Sequence, residues 1–344
     1  MTKLRVLVVE DSGTVRRRIC EVLAADAEIE VVGEAADGKS AIALATSLRP
    51  DLITLDMMLP VMTGLAATEY IMAHLPTPIL IVSASTNRGE LHRTYDALAA
   101  GAVDVLEKPT GLEPDGAWET RFLAAVKMAA RIQVITHLRA RLNGAGPHPV
   151  PRAIASDKIG LVAIGASTGG PAAMLELLRG LPAPFPLPLL LAIHIGEPFG
   201  GAFAEWLDGQ SGHRVSLAVD GEAVARPGLR MAPPNRHLVV DGGRLRLTDW
   251  PERNSCRPSV DVLFESIAFA CGAASAACLL TGMGRDGAAG LLAIRRAGGV
   301  TIAQDEASSV VFGMPREAVR LGAAQRVLPL SAIGSALAEL AARR

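Results

Sequence analysis

Leu161-Val-Ala-Ile-Gly-Ala-Ser-Thr-Gly-Gly-Pro-Ala-Ala-Met-Leu-Glu-Leu-Leu178 joins an apolar run to a helical pattern through a glycine-flanked serine. Leu161 to Ile164 reads as a strand and Pro171 to Leu178 as a helix. Gly165-Ala-Ser167-Thr-Gly169-Gly170 is the turn between them. Glycines allow a tight backbone there, and the following helix directs its first amide N–H groups at the turn. A serine in that place is exposed as a nucleophile would be, and the stretch fits G-x-S-x-G. The pattern is short and equally describes a structural turn, so a base and an orienting acid elsewhere must decide its meaning.

Strand and helix patterns alternate outward from this stretch through residues 159–344. Strands are expected at 161–164, 189–193, 215–218, 238–240, 278–280 and 300–303. Helices are expected at 171–180, 199–208, 260–271, 287–297 and 331–342. Residues 224–247 hold short apolar pieces broken by Pro227-Gly, Pro233-Pro-Asn and Asp241-Gly-Gly, which suggests an inserted hairpin. The expected fold is a doubly wound, mainly parallel α/β domain.

The same alternation fills the first 125 residues. Strand-like runs at 4–9, 29–32, 51–55, 78–82 and 103–106 alternate with helical patterns at 14–25, 38–47, 63–74 and 90–100. This predicts a flavodoxin-like, five-stranded parallel sheet. Ligands of such sheets bind beyond the carboxyl ends of the strands. Glu10, Asp11, Asp56, Ser83 and Lys108 all stand just past those ends. Three packed carboxylates repel one another, and a hard divalent cation relieves the repulsion. A hydroxyl and an amine beside that cation suit a phosphoryl group. The expectation is a magnesium-assisted phosphoryl acceptor with Asp56 as the nucleophile.

Between the halves, Arg121 to Arg141 has helical spacing and five basic residues without an acid. Asn143-Gly-Ala-Gly-Pro-His-Pro-Val-Pro151 then marks a linker. The basic stretch reads as a solvated face or as a surface that docks on acidic groups. The expected organisation is 1–125, a linker region at 126–157, and 158–344.

Composition narrows the function classes. The 344 residues carry a formal net charge of −1, which argues against strong binding to nucleic acid or a membrane surface. Half the residues are apolar and only 3% are aromatic, so the cores must be built from aliphatic side chains. No apolar run is long enough to span a bilayer, and the N-terminus lacks a signal-peptide pattern. Cys20, Cys256, Cys271 and Cys278 show neither C-x-x-C nor Cys/His spacing. That argues against structural zinc and a disulfide framework, and for a reducing, cytoplasmic setting.

His194 directly follows the 189–193 strand, the same kind of position as Ser167, and is the first choice as base. His237 is second. His213 lies in a polar turn and His148 in the linker. Asp286 lies in the glycine-rich loop after the 278–280 strand and is either the orienting acid or a helix N-cap. Ser167, His194 and Asp286 share one sheet edge. The order of the α/β-hydrolases, serine, acid, histidine, would instead require Asp220 or Asp241 with His237.

Residues 1–125 resemble the receiver domain of two-component response regulators. That resemblance implies phosphorylation of Asp56 by a histidine kinase, with magnesium held by Asp11, Asp56 and the Met58 carbonyl and assisted by Glu10. Ser83 and Lys108 would contact the phosphoryl oxygens. Val105 stands where many receivers have an aromatic residue. The second half resembles the CheB family of chemotaxis protein-glutamate methylesterases. Its motifs run nearly end to end: Ile164-Gly-Ala-Ser-Thr-Gly-Gly170, His194 before Pro198-Phe199, Ala232-Pro-Pro-Asn-Arg-His-Leu238, Arg257-Pro-Ser-Val-Asp-Val-Leu-Phe264, Leu280-Thr-Gly-Met-Gly-Arg-Asp-Gly287 and Gln304-Asp-Glu-Ala-Ser-Ser-Val-Val-Phe-Gly-Met-Pro315. His194 is followed by Ile-Gly-Glu where many relatives have Met-Pro-Pro.

The resemblance implies Ser167 as nucleophile, His194 as base and Asp286 as its partner, with Thr168 and Met283 bordering the oxyanion site. It implies a chemoreceptor helix as substrate, methanol as product, the kinase CheA as phosphodonor and no cofactor for the ester chemistry. Deamidation of receptor glutamines is a further activity of some members.

Overall fold

The computed structural model describes residues 3–84, 88–109, 116–132, 159–197 and 199–342. The chain divides into two compact units, Met1–Gly144 and Ala145–Arg344. No helix among the described residues is long and apolar enough to cross a membrane.

In the first unit, β1 (Leu4–Val9), β2 (Ile29–Ala35), β3 (Leu52–Leu55), β4 (Ile79–Ser83) and β5 (Asp104–Glu107) alternate with α1 (Gly13–Ala24), α2 (Gly38–Leu48), α3 (Gly64–His74), α4 (Arg88–Ala99) and α5 (Ala117–Ala129). All strand pairs are parallel, in the order β2-β1-β3-β4-β5. This is the flavodoxin-like order, whose switch point lies between β1 and β3. Glu10 and Asp11 follow one of those strands and Asp56 follows the other. β3 is buried on both faces, as parallel strands covered by helices must be.

The expected boundary after residue 125 falls inside α5. That helix buries Trp118, Phe122, Val126 and Ala129 in the first unit's core, together with Val6, Val8 and Leu80. Fully burying one such side chain contributes roughly 1.5–3 kcal/mol, so α5 is part of this unit's fold. Lys127, one of the five basic residues, pairs with Asp26 at 2.7 Å and Glu28 at 2.6 Å. The rest of the basic stretch beyond Ile132, with the 143–151 linker, lies outside the described residues.

The second unit comprises β6 (Leu161–Ala166), α6 (Gly170–Arg179), β7 (Pro188–Ile193), α7 (Phe199–Ser211), β8 (Val215–Leu217), β9 (Gly228–Met231), β10 (His237–Asp241), β11 (Arg244–Thr248), α8 (Val260–Cys271), β12 (Ser275–Leu279), α9 (Ala288–Arg296), β13 (Val300–Gln304), α10 (Met314–Arg320), β14 (Arg326–Leu328) and α11 (Leu330–Ala342). Seven strands form a parallel sheet in the order β14-β13-β12-β6-β7-β9-β8. The winding reverses at β6, between β12 and β7, which places the ligand crevice at the carboxyl end of β6.

The expected hairpin is β10–β11, an antiparallel pair outside the main sheet. Its Leu238, Val240 and Leu245 pack with Leu263, Phe264 and Ile267 of α8. The segment before it is not part of the hairpin. Residues 228–231 form β9, which inserts into the main sheet between β7 and β8. Short β14 and α10 were not evident from pattern. β14 has three residues, and α10 has seven with Pro315 in its first turn.

Candidate active site

β6 and β7 run in register with Ala166 opposite Ile193, so the next residue on each strand, Ser167 and His194, emerges at the same edge. The His194 amide donates to the Ala166 carbonyl at 3.2 Å and ties the two strand ends together. After Ser167 the chain turns sharply. The Gly170 amide donates to the Ser167 carbonyl at 2.7 Å, and Gly169 has φ +76°, a conformation that favours glycine.

Gly282 packs against this turn. A Cβ there would meet Met314 Sδ at 2.3 Å and Ser167 Cβ at 2.8 Å. The Ser167 amide donates to the Thr281 carbonyl at 3.0 Å. Thr281 in turn is fully buried. Its hydroxyl lies 3.0 Å from the Thr168 carbonyl, and its amide donates to Gln304 Oε1 at 2.8 Å. The serine turn is thus braced by hydrogen bonds from the loop after β12 and from β13.

Asp286 stands on the loop after β12, just before Gly287, which is the N-cap of α9. Its carboxylate does not cap α9. It faces the N-terminus of α8, accepting from the Val260 amide (2.7 Å), the Asp261 amide (3.2 Å) and the Ser259 hydroxyl (2.7 Å). Asn254 Nδ2 adds a bond at 3.1 Å. The fifth partner is His194 Nε2 at 2.8 Å. Burial opposes this negative charge. The His194 contact, the Ser259 hydroxyl and the Val260 amide outweigh it and hold the Asp286 pKa down at about 2. The positive end of α8 acts in the same direction.

A ring nitrogen facing a carboxylate carries the proton, so His194 Nε2 donates and Nδ1 is the nitrogen free to gain or lose a proton. Burial opposes the imidazolium, but Asp286 and the Cys256 sulfur raise the His194 pKa to about 9. Cys256 Sγ lies 3.7 Å from His194 Nδ1. Among the described residues, Ser167 Oγ makes no hydrogen bond to His194. Such bonds are often long before a substrate closes the site. Thr168 is buried, whereas Met283 is 57% exposed and lines an open cleft of about 390 Å³ with His194, Cys256 and Asp286.

The second-choice base is excluded by its contacts. His237 is fully buried, with Nδ1 accepting from the Ser259 amide at 3.1 Å and Nε2 3.2 Å from the Pro251 carbonyl. Both ring nitrogens serve the fold. Asp220 accepts from the Leu247 amide and sits near Arg246, and Asp241 pairs with Arg244 at the hairpin turn. The alternative order built on these residues has no geometry to support it. Cys256 and Asn254 were not foreseen as neighbours of the site. They lie 62 and 60 positions from His194, and only the folded 253–257 loop brings them there.

In the first unit, Glu10 and Asp56 are buried and Asp11 is exposed, and donor oxygens of all three lie within 4.8 Å of one another. Lys108 Nζ lies 2.8 Å from Glu10 and 2.9 Å from Asp56. Burial and the Asp56 charge raise the Glu10 pKa despite Lys108. Asp56 Oδ1 is buried without a hydrogen-bond partner, an oxygen suited to a hard cation. Gly64 is required beside it, since a Cβ there would meet the Asp56 carbonyl at 2.3 Å. The Ser83 hydroxyl donates to Glu90 at 2.9 Å.

Both units match known families. Residues 162–337 match the family model for CheB methylesterase, and residues 6–114 match the response regulator receiver domain. A protein-glutamate methylesterase/protein-glutamine glutaminase from Anaeromyxobacter dehalogenans is 43% identical over 98% of this chain and 97% of its own. One of the same description from Geobacter metallireducens is 43% identical over 98% and 99%. The crystal structure of the Thermotoga maritima CheB methylesterase catalytic domain matches with 36% identity and a TM-score of 0.51, covering 54% of this chain and all of that one. The chain belongs to the CheB methylesterase family, in the form that carries a response regulator receiver domain.

Proposed function

We propose that this chain is a phosphorylation-controlled protein-glutamate methylesterase. It hydrolyses γ-glutamyl methyl esters on chemoreceptor helices and releases methanol. The observation that carries the reading is the register of β6 and β7, which sets Ser167 beside His194 while Asp286 fixes the imidazole. Ser167 Oγ attacks the ester carbonyl, and His194 Nδ1 takes its proton. Asp286 stays ionised and supports the imidazolium. Backbone N–H groups bordering Thr168 and Met283 receive the oxyanion, each worth about 2.7–4 kcal/mol in comparable sites. His194 returns the proton to the departing methoxide. Water, activated by the same nitrogen, then releases the acyl group. The same attack on a glutamine side chain would release ammonia, which fits the joint name of the relatives.

Control is assigned to Asp56, phosphorylated by a histidine kinase of the CheA type. Asp11, Asp56 and the Met58 carbonyl, with Glu10, would hold Mg2+, which supplies charge neutralisation for the transferring phosphoryl group. Lys108 stands between Glu10 and Asp56, positioned to contact a phosphoryl oxygen. Ser83 would turn from Glu90 to a second one. The test is methanol release from methylated receptor membranes by wild type and Ser167→Ala. The variant is expected to be inert with an unchanged melting temperature. Residual release at the wild-type rate would refute the mechanism.

A further inference from the structure

Cys256 carries no step of the proposed ester chemistry, yet the fold presents it to the proposed base. Asn254 and Ser255 have φ of 53° and 60°, two successive non-glycine residues in the left-handed region. Such a conformation costs about 1–3 kcal/mol per residue and persists only where its surroundings enforce it. Here Asn254 Nδ2 is held by Asp261 at 2.9 Å and Asp286 at 3.1 Å. Arg253 and Cys256 exchange two backbone hydrogen bonds, at 3.2 and 3.0 Å, and close the loop. Cys256 Sγ is thereby fixed 3.7 Å from His194 Nδ1 at the open cleft.

That spacing has a second chemical meaning. A tetrahedral zinc ion with Zn–N near 2.05 Å and Zn–S of about 2.3 Å separates its nitrogen and sulfur ligands by about 3.6 Å. The donor atoms of His194, Cys256 and Asp286 all lie within 4.8 Å of one another. Asp286 already accepts the Nε2 proton, the arrangement that fixes the tautomer and raises the basicity of metal-bound histidines. A thiolate and an imidazole select borderline metals over magnesium, which keeps this site chemically distinct from the carboxylate cluster around Asp56.

We infer that His194 Nδ1 and Cys256 Sγ, backed by Asp286, form a binding site for Zn2+ that switches the esterase off. The Cys256 thiol gives its proton to solvent, as does Nδ1 where the ring is protonated, and the ion takes the Nδ1 lone pair that otherwise receives the Ser167 proton. Water completes the coordination on the cleft side. Sequence spacing argues against a structural zinc site, and this one is different in kind. It is assembled across the fold, needs no contribution to stability and acts by competition for one lone pair. The inhibitory consequence rests on His194 being the base. The binding itself does not.

The experiment uses the full-length chain freed of metal with a chelator. Co2+ is titrated in as a spectroscopic substitute, and a near-ultraviolet thiolate-to-cobalt charge-transfer band is expected. Cys256→Ser should abolish the band, while Cys20→Ser should keep it. Zn2+ should then lower basal methanol release on the order of 10⁴-fold at saturation, the scale of a lost general base. Loss of an outer-shell partner alone weakens metal sites roughly 10–100-fold, so Cys256→Ser should raise the half-inhibiting Zn2+ concentration at least that much. Absence of the band, its survival in Cys256→Ser, or equal zinc sensitivity of the two proteins would overturn the inference. An enzyme that shows the band with Co2+ but releases no methanol when metal-free would instead overturn the esterase reading and leave the site standing.

Discussion

Asp286 accepts five hydrogen bonds, and only one comes from His194, the proposed base. The other four hold its charge and position. Asp286→Asn keeps the shape but removes the charge and favours the wrong histidine tautomer, so kcat/KM should fall on the order of 10⁴-fold. The raised His194 pKa has a definite sign. Below about 9 the ring is mostly protonated and cannot act as base. The rising limb of kcat/KM should therefore lie well above the ordinary histidine range and move toward 9. A limb at or below pH 6.5 would contradict the Asp286–His194 coupling. Conversely, the stability that Asp286 gains from its low pKa is present above its ordinary value and is lost as pH falls through about 2. Ser167, His194 and Asp286 were legible because each follows a strand that its own sequence announces. Cys256 was not, because it sits in an irregular loop and follows no strand of the parallel sheet.

Elements, rather than single side chains, set the precision of the serine turn. The loop after β12 supplies Thr281 and Gly282, β13 supplies Gln304, and the start of α10 supplies Met314. Gly282→Ala would drive a methyl group to within 2.3 Å of Met314 Sδ. Overpacking of this kind costs about 1–3 kcal/mol, and the displaced group here is Ser167. Esterase activity should therefore fall far more than thermal stability. Near-normal activity in a stable Gly282→Ala protein would show that the turn tolerates a shift. Ser259→Ala acts at the start of α8, where Ser259 Oγ accepts from the Val262 amide and donates to Asp286. Loss of the cap costs about 1 kcal/mol, and loss of a hydrogen bond to a charged group about 1.5–3 kcal/mol. Thermal melting would register their sum. The long elements around these contacts were readable from periodicity. β9 was not, because four residues that begin at Gly228 carry too little alternation to separate a sheet strand from a hairpin arm. α10 was hidden for the same reason, being short and led by a proline.

At the scale of the whole molecule, two α/β units each place their chemistry at the point where strand order reverses. The alternation of strands and helices made both sheets legible, while the boundary expected at 125 cut through α5 because basic residues masked its buried Trp118–Phe122–Val126 face. The first unit's carboxylates suit a hard cation, whereas the proposed ester mechanism routes no step through one. Chelation should accordingly abolish any response to a phosphodonor while leaving basal, Ser167-dependent release intact. Loss of basal release on chelation would place a metal in the ester chemistry itself. The most direct test of the account is methanol release from methylated receptor membranes, measured with Mg2+ before and after adding acetyl phosphate, for wild type and Asp56→Asn. Wild type should accelerate on addition of the phosphodonor, and Asp56→Asn should retain basal release without acceleration. Full acceleration of Asp56→Asn would contradict control of Ser167 through Asp56.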